Sequence, residues 1–320
     1  MNLNWVVTGG NGFIGKNLVE FLLKHKNNVR VIDDFSVSTS PTNFLVDAVS
    51  PSEGSEWRQL EIFERNITVD CLGDALNGAD VVVHLAASSG VKQSIDCPRG
   101  DFDTNVLGTF NVLQAATEAG ISKFIFASSS APLGQIIDLP VSENSLPRPI
   151  SPYGASKLTG EAYCQAFSAC YPINAVALRF SNIFGPWSDH KQSVVAQIIK
   201  SSLSGDSINI YGDGTASRDF LFVGDLVRAI VLAANPLVDA GVYQLGSGKE
   251  TTISELLICI QRKLEGRGLR IPLVIHSQDR RGDIKNIYSD ITKFQRLTNW
   301  QPIYLFEEAI EQTLEYFLGL

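Results

Sequence analysis

The stretch NWVVTGGNGFIGKNLVEFLLKH, residues 4–25, joins a short apolar run to a glycine cluster and then to a helical pattern. NWVVT (4–8) has the length and content of a buried strand, and Phe13, Ile14, Leu18, Phe21 and Leu22 recur at helical spacing. Between them, Gly10, Gly12 and Gly15 satisfy G-x-G-x-x-G, and Gly9, Gly12 and Gly15 satisfy G-x-x-G-x-x-G. Glycines between a strand and a helix let the backbone turn tightly and approach a diphosphate, whose charge rests on the free N–H groups at the helix start. The context predicts a dinucleotide site.

The same rhythm continues outward. Apolar runs at 28–32, 80–85, 123–128 and 174–180 alternate with helical patterns, among them TNVLGTFNVLQAATEAG, which ends on a capping Gly120. Strands rich in Val and Ile and separated by helices imply a parallel, doubly wound α/β sheet. After about residue 180 the chain turns to Gly, Asp, Arg and Pro in SNIFGPWSDHK, YGDGTASRDF and SQDRRGDIKN, the composition of cleft-lining loops. Helices are expected again at 193–204, 224–235, 253–265 and 305–318. Residues 1–180, with a return segment at about 219–240, are expected to form the dinucleotide domain, and 181–320 mainly a smaller ligand-covering domain.

Asp33 lies eighteen residues past Gly15, at the end of the second strand. A carboxylate there accepts hydrogen bonds from adenosine ribose hydroxyls and repels a 2′-phosphate, and VIDDFSVSTS carries no arginine. NAD is thus expected over NADP. The neighbouring Asp34 could be the acceptor instead.

Composition narrows the partners. The chain has 320 residues, 44% hydrophobic and 19% charged, with a formal net charge of −8. Nucleic acid and anionic membranes call for a basic face, so neither is an expected partner. The five scattered cysteines include no C-x-x-C and are read as reduced thiols. The four histidines have no metal-ligand spacing, and His84 in VVVHLAA is read as a packing residue. The N-terminal residues lack the pattern of a signal peptide, and no apolar run approaches the ~20 residues of a membrane span, so a cytoplasmic protein without a metal is expected.

In SPYGASKLTGEAY (151–163), Ser151 and Pro152 suit the cap and first position of a helix, which places Tyr153 and Lys157 on one face. A free phenol has a pKa near 10 and is a poor base at neutral pH. A nearby ammonium and a positive nicotinamide ring would pull that value down, and the serines ending KFIFASSS offer a hydroxyl at the same place.

TGGNGFIG, HLAA, SSSAPLG and YGASK, in this order and spacing, resemble the extended short-chain dehydrogenase/reductase family. LRFSNIFGP, YGDGTASRDFLFVGDLVRA, YQLGSG and RRGDIKNIYSD resemble its nucleotide-sugar epimerase branch, of the UDP-galactose 4-epimerase type. The resemblance spans essentially the whole chain. It implies a Rossmann-type sheet with a smaller C-terminal substrate-binding α/β domain, bound NAD, and reversible oxidation of a sugar at C4. Tyr153 and Lys157 match the catalytic Y-x-x-x-K, and Ser129 the catalytic Ser/Thr, with Ser130 its nearest competitor. The implied cofactor residues are Gly9, Gly12, Phe13, Ile14, Gly15, Asp33, Asp34, Phe35, Ser36, Glu61, Ile62, Leu85, Ala86, Ala87 and Asn105, besides Tyr153 and Lys157. On the substrate side stand Ser129, Ser130, Asn182, Arg218, Arg280 and Asp283, with Lys92, Ser94 and Glu143 at looser matches. The two arginines are expected on the sugar diphosphate. A homodimer is implied, through helices near 100–120 and 153–171 bearing Val106, Phe110 and Leu113.

The chain also departs from its branch. Dehydratases place Asp-Glu after the catalytic Thr and decarboxylases keep a Glu, whereas Ser130 and Ala131 stand here. The usual VYG is replaced by Pro132, Leu133 and Gly134, which removes a tyrosine near the sugar. Ile287 or Tyr288 falls where sugar bulk is limited, and Asn182 in place of Thr leans away from uronic acids. A 4-epimerase of UDP-hexoses or UDP-N-acetylhexosamines is expected. The alternatives are a 4-ketoreductase, a 2-epimerase or uronate 4-epimerase, and a non-catalytic dinucleotide sensor.

Overall fold

The structure, a computed structural model, describes residues 3–37, 59–135, 138–278 and 285–320. Six parallel strands come from the first half of the chain: β1 (Asn4–Thr8), β2 (Asn28–Asp33), β3 (Leu60–Glu64), β4 (Val81–His84), β5 (Lys123–Ser129) and β6 (Asn174–Phe180). Four short strands follow, β7 (Asn182–Phe184), β8 (Ile208–Tyr211), β9 (Ser217–Arg218) and β10 (Phe220–Phe222). The chain then returns to the large sheet with β11 (Gly241–Leu245) before β12 (Thr251–Thr252) and β13 (Val274–Ser277). The large sheet runs β11-β6-β5-β4-β1-β2-β3, every pair parallel. β7 pairs with β10, β9 with β12 and β8 with β13 to make three small two-stranded sheets.

Alternation along each strand explains why both faces are covered. Val81 and Val83 join one apolar cluster while Val82 joins the other, and the same split separates Val29 and Val31 from Ile32. On the first face lie helices α1 (Phe13–Lys24) and α5 (Val223–Ala233), through Leu18, Val19, Leu22, Val227 and Ile230. On the second lie α3 (Thr109–Glu118) and α4 (Pro152–Cys170), through Val112, Leu113, Ala116, Cys164 and Phe167. A short helix α2 (Val91–Asp96) packs against α4. Chain order reverses between β1 and β4, which opens a crevice at their carboxyl ends, the ligand position of such sheets.

Candidate active site

The crevice begins at the glycine turn. Gly9 adopts φ +69°, and a Cβ there would lie 2.6 Å from the backbone nitrogen of Ala86, so the turn and the exit of β4 meet backbone to backbone. Gly12 caps α1 without any side-chain hydrogen bond, leaving the first-turn N–H groups to an anion. At the end of β2, Asp33 accepts from the N–H groups of Asn11 and Phe35, each at 2.9 Å. Phe35 reaches its bond from φ +54°, a conformation a bulky side chain rarely adopts. Burial raises the Asp33 pKa against the pull of those two bonds. Asp34 is exposed and caps its own turn, accepting from the backbone N–H and hydroxyl of Ser36. An uncapped helix end, a glycine cradle and a carboxylate fixed at the strand end together fit the diphosphate and ribose of a dinucleotide.

Other expected cofactor positions are placed as follows. Leu85, Ala86 and Ala87 leave β4 half-buried, with Ala86 N–H donating to Thr8 Oγ1 at 3.2 Å. Glu61 and Ile62 do not reach the crevice and are corrected. They lie inside β3, opposite Arg30 and Val31, and the Glu61 carboxylate is held by Arg30 Nε at 2.7 Å. Glu64 is the residue that meets Asp33, so the strand exit that borders the crevice is 65–67. Asn105 is buried in a turn of π-helix, Asp103–Gly108. Its amide exchanges hydrogen bonds with the backbone of Ser88 and donates to Asp101, so it fixes the loop after β4.

His84 is buried in a chain of hydrogen bonds that sets its tautomer. Thr109 Oγ1 donates to Asn105 O, so it accepts from His84 Nε2, and His84 Nδ1 accepts from Thr8. Burial, aided by Lys157, pushes its pKa down to about 3 and keeps the ring neutral.

The catalytic candidates converge at the carboxyl end of β5. Ser151 caps α4 by accepting from Gly154 N–H at 3.1 Å, with Pro152 in the first turn. Gly160 lets α4 lie directly on β5, since a Cβ there would sit 2.4 Å from Phe126 Cζ. This approach brings the Tyr153 phenol close to Ser129, whose hydroxyl favours the ionised phenol. Ser129 Oγ accepts from Ala131 N–H at 3.1 Å, which leaves its own hydrogen for the phenol. Ser130 instead turns to Phe180 O, at 3.3 Å. Lys157 is buried, donates to Ala127 O at 2.9 Å, and has its ammonium 5.9 Å from the centre of the Tyr153 ring.

Burial dominates the electrostatics of this pair. It pushes the Tyr153 phenol up to about 12, the Ser129 hydroxyl opposes this, and Asp101 adds to it. Burial also pulls the Lys157 ammonium down to about 8, with Asp101 working against that pull. The protein's own groups therefore keep the phenol protonated. The buried Asp101, which sequence reasoning missed, lies close enough to influence both side chains. Its only signal was its place four residues before Asn105.

Behind these residues sits a buried ion pair, also missed. Arg179 Nε and Nη2 hold Glu161 at 2.8 and 2.7 Å, and Ser128 Oγ donates to the same carboxylate at 2.5 Å.

On the substrate side, Asn182 opens β7 exposed, its N–H on Asp219 O at 2.9 Å. Arg218 donates to the carbonyls of Ser217 and Lys285. Lys92 is exposed on α2, whereas Ser94 is buried and spends its hydroxyl on Val91 O of its own helix. Glu143 is withdrawn from the crevice, accepting from Gln244 N–H at the edge strand β11. Arg280 and Asp283 lie outside the described residues. Ile287 packs with Leu133 and Val141 in a small apolar cluster beside the turn that follows Ser129, and Tyr288 offers its carbonyl to Val141. The buried Asp219 is a further hub: its carboxylate accepts from the backbone N–H groups of Ser247, Gly248 and Ser289. Among the described residues there is no cluster of three or more metal-ligating acids, histidines or cysteines, and no helix long and apolar enough to cross a membrane.

Comparison with known proteins agrees with this geometry. A UDP-glucose 4-epimerase of Mycolicibacterium smegmatis is 32% identical over 98% of this chain and 97% of its own. The solved UDP-N-acetylglucosamine 4-epimerase of Methanobrevibacter ruminantium, in complex with UDP-N-acetylmuramic acid, superposes with a TM-score of 0.89 at 33% identity, covering 99% of both chains. The UDP-glucose 4-epimerase of Thermotoga maritima with UDP-glucose gives 0.87 at 30% identity, again over 99% of both. The sequence profile of the NAD dependent epimerase/dehydratase family matches residues 5–246. With its glycine turn, its Ser129–Tyr153–Lys157 cluster and these full-length likenesses, the chain belongs to the NAD dependent epimerase/dehydratase family.

Proposed function

We propose that this chain is an isomerase, an NAD-dependent 4-epimerase of UDP-linked hexoses or N-acetylhexosamines. The observation that carries the reading is the convergence of Ser129, Tyr153 and the buried Lys157 at the end of β5, with no carboxylate in the Ser130 and Ala131 positions that follow. An alcohol can be oxidised there, but the extra acid that an elimination calls for is missing. The full-length likeness to UDP-sugar 4-epimerases supports the same reaction.

NAD held by the glycine turn, Asp33 and Lys157 would supply the hydride chemistry at the sugar C4, as acceptor and then as donor to the opposite face. The residues of the chain handle the proton. Tyr153, as phenolate, removes the proton of the 4-hydroxyl as the C4–O bond becomes a carbonyl, and gives it back when the carbonyl is reduced. Ser129 donates to the same oxygen and keeps it in line with the phenol. Lys157 stabilises the phenolate and holds the nicotinamide ribose, while Asp33 takes the adenosine ribose. Arg218 and Asn182, with Arg280 and Asp283, hold the sugar diphosphate and nucleotide.

In this reading 1–180, with the segment near 219–240, is the NAD domain and 181–320 mainly the sugar domain. We further read the protein as cytoplasmic and a homodimer. The second point is supported by Phe102, Leu107, Tyr163 and Tyr171, which stand 50%, 40%, 38% and 50% exposed on the segment before α3, on α4 and just past its end. Of the three residues expected in that contact, Leu113 faces the core instead.

The test is incubation with UDP-glucose, UDP-galactose and their N-acetylamino and uronic counterparts without added reductant, followed by NMR. Appearance of the 4-epimer at constant NAD is the expected result. Stoichiometric consumption of NADH on a 4-keto sugar, without epimerisation, would replace this reading with a ketoreductase.

A further inference from the structure

Lys191 lies on the segment that follows β7, and its Nζ donates to the hydroxyl of Ser89 at 2.8 Å. The two ends of this bridge belong to the segments leaving β4 and β6, the strands on either side of β5. The bridge therefore spans the mouth of the crevice at the carboxyl end of β5. Both ends are fastened to the walls of the dinucleotide site. Asn17 of α1 donates to Pro186 O at 3.0 Å, and the Lys16 ammonium sits 5.0 Å from the centre of the Trp187 ring. Ser89 lies two residues past Ala87, in the loop whose Ala86 backbone abuts Gly9.

Charge sets Lys191 apart from its neighbour. Lys16 is near Asp189 and Asp33, which support its charge. Lys191 is half-buried, and among the described residues no carboxylate offsets the loss of water that lowers its pKa. Its ammonium lowers the pKa of Lys157 and of His190, and the Lys200 ammonium donates to the Lys191 carbonyl at 2.9 Å. A cation placed between two basic groups, with a neutral hydroxyl as its acceptor, is matched by an incoming anion.

We propose that Lys191 is a clamp on the dinucleotide diphosphate, closing over it from the side opposite the N–H groups of α1, so that NAD stays resident through many turnovers. The inference rests on reading the crevice as an NAD site. The dinucleotide is favoured over the sugar diphosphate because the bridge is anchored on α1 and on the loop against Gly9, while Asn182 and Arg218 lie on β7 and β9. A resident cofactor also suits a reaction that regenerates NAD in every cycle.

The experiment compares the native protein with Lys191→Met and Lys191→Arg. It measures NAD release from the loaded protein, and the affinity of stripped protein for NAD, ADP-ribose and adenosine by calorimetry. Lys191→Met should release NAD faster and bind NAD and ADP-ribose about ten- to one-hundredfold more weakly, the range for one charge-assisted hydrogen bond. Adenosine, which lacks the phosphates, should bind all three proteins alike, and Lys191→Arg should recover most of the loss. Equal weakening toward adenosine would overturn the proposal, because the crevice itself would have changed shape. So would unaltered NAD affinity combined with a raised KM for the nucleotide sugar, which would assign the cation to the other diphosphate. A native protein that binds no NAD would instead overturn the reading of the crevice.

Discussion

Tyr153 is held up to about 12 in the protein alone, mainly by burial, so at pH 7 only about one phenol in 10⁵ is ionised. A general base works best with a pKa near the operating pH. Bringing the phenol from about 12 to about 7 takes ~7 kcal/mol. One positive charge in contact contributes about 4 kcal/mol at an effective dielectric of 20. The nicotinamide ring alone therefore falls short, and because the Ser129 hydroxyl already acts within the value of about 12, Lys157 must supply the remainder. Ultraviolet difference titration of the native protein against Tyr153→Phe isolates this phenol among the eight tyrosines. Without dinucleotide it should titrate above its ordinary value, and with NAD near neutrality. With NADH, whose ring is uncharged, it should stay high. Lys157→Met loaded with NAD should titrate about 1.5 pH units above the native holoprotein, for ~2 kcal/mol lost. The turnover of the native enzyme should fall about tenfold per pH unit below the NAD-bound value, since the base is lost as it protonates. A phenol that titrates near 7 in the stripped protein would refute the reasoning, because burial would then not be the dominant influence.

Arg179→Met leaves the buried Glu161 carboxylate without its cation and should destabilise the fold by about 3–5 kcal/mol, whereas the double variant Glu161→Gln/Arg179→Met should recover about half or more of that loss in urea unfolding. Strictly additive losses would show that the two side chains do not act as a pair. His84, pushed down to about 3 from 6.5, stabilises the fold fully above pH 6.5 and less as pH falls, because the unfolded chain takes up the proton first. The native protein should lose about 2 kcal/mol from this source by pH 5, and His84→Gln should lack that component; equal pH slopes for the two proteins would refute it. Gly160→Val forces a side chain onto Phe126 and should destabilise by about 1–3 kcal/mol, visible as a lowered Tm. An unchanged Tm would mean that α4 has room to lift from β5.

Local chemistry was legible in the sequence where one element carries the whole signal. β1 and β6 fall on the expected 4–8 and 174–180, because runs of Val, Ala and Leu buried on both faces have few other readings. Tyr153 and Lys157 needed only helical spacing, and Ser129 only the end of a strand. β3 escaped notice because its pattern is diluted by outward-facing Glu61, Ile62 and Glu64, and that omission misplaced the strand exit that borders the crevice. β11 is five residues long and follows a helix with no pattern announcing a return to the sheet. Asp101, Asp219 and the Glu161–Arg179 pair were illegible for a different reason. An acidic residue in a sequence looks solvated until the fold removes its water, and only the packed chain shows which partners replace it. The burial of the phenol was illegible likewise, since spacing shows its charged neighbour and not the packing around it.

The carboxylate of Asp219 grips main-chain amides and ignores the side chains that belong to them, apart from the hydroxyl of Ser247. The backbone at Ser247, Gly248 and Ser289 is thereby fixed by atoms that every amino acid except proline possesses. Side chains at Ser247 and Ser289 can therefore be exchanged without loosening the frame, so that diversification of the surface is uncoupled from the integrity of what carries it, whereas Gly248, at φ +72°, is tied to its own residue type.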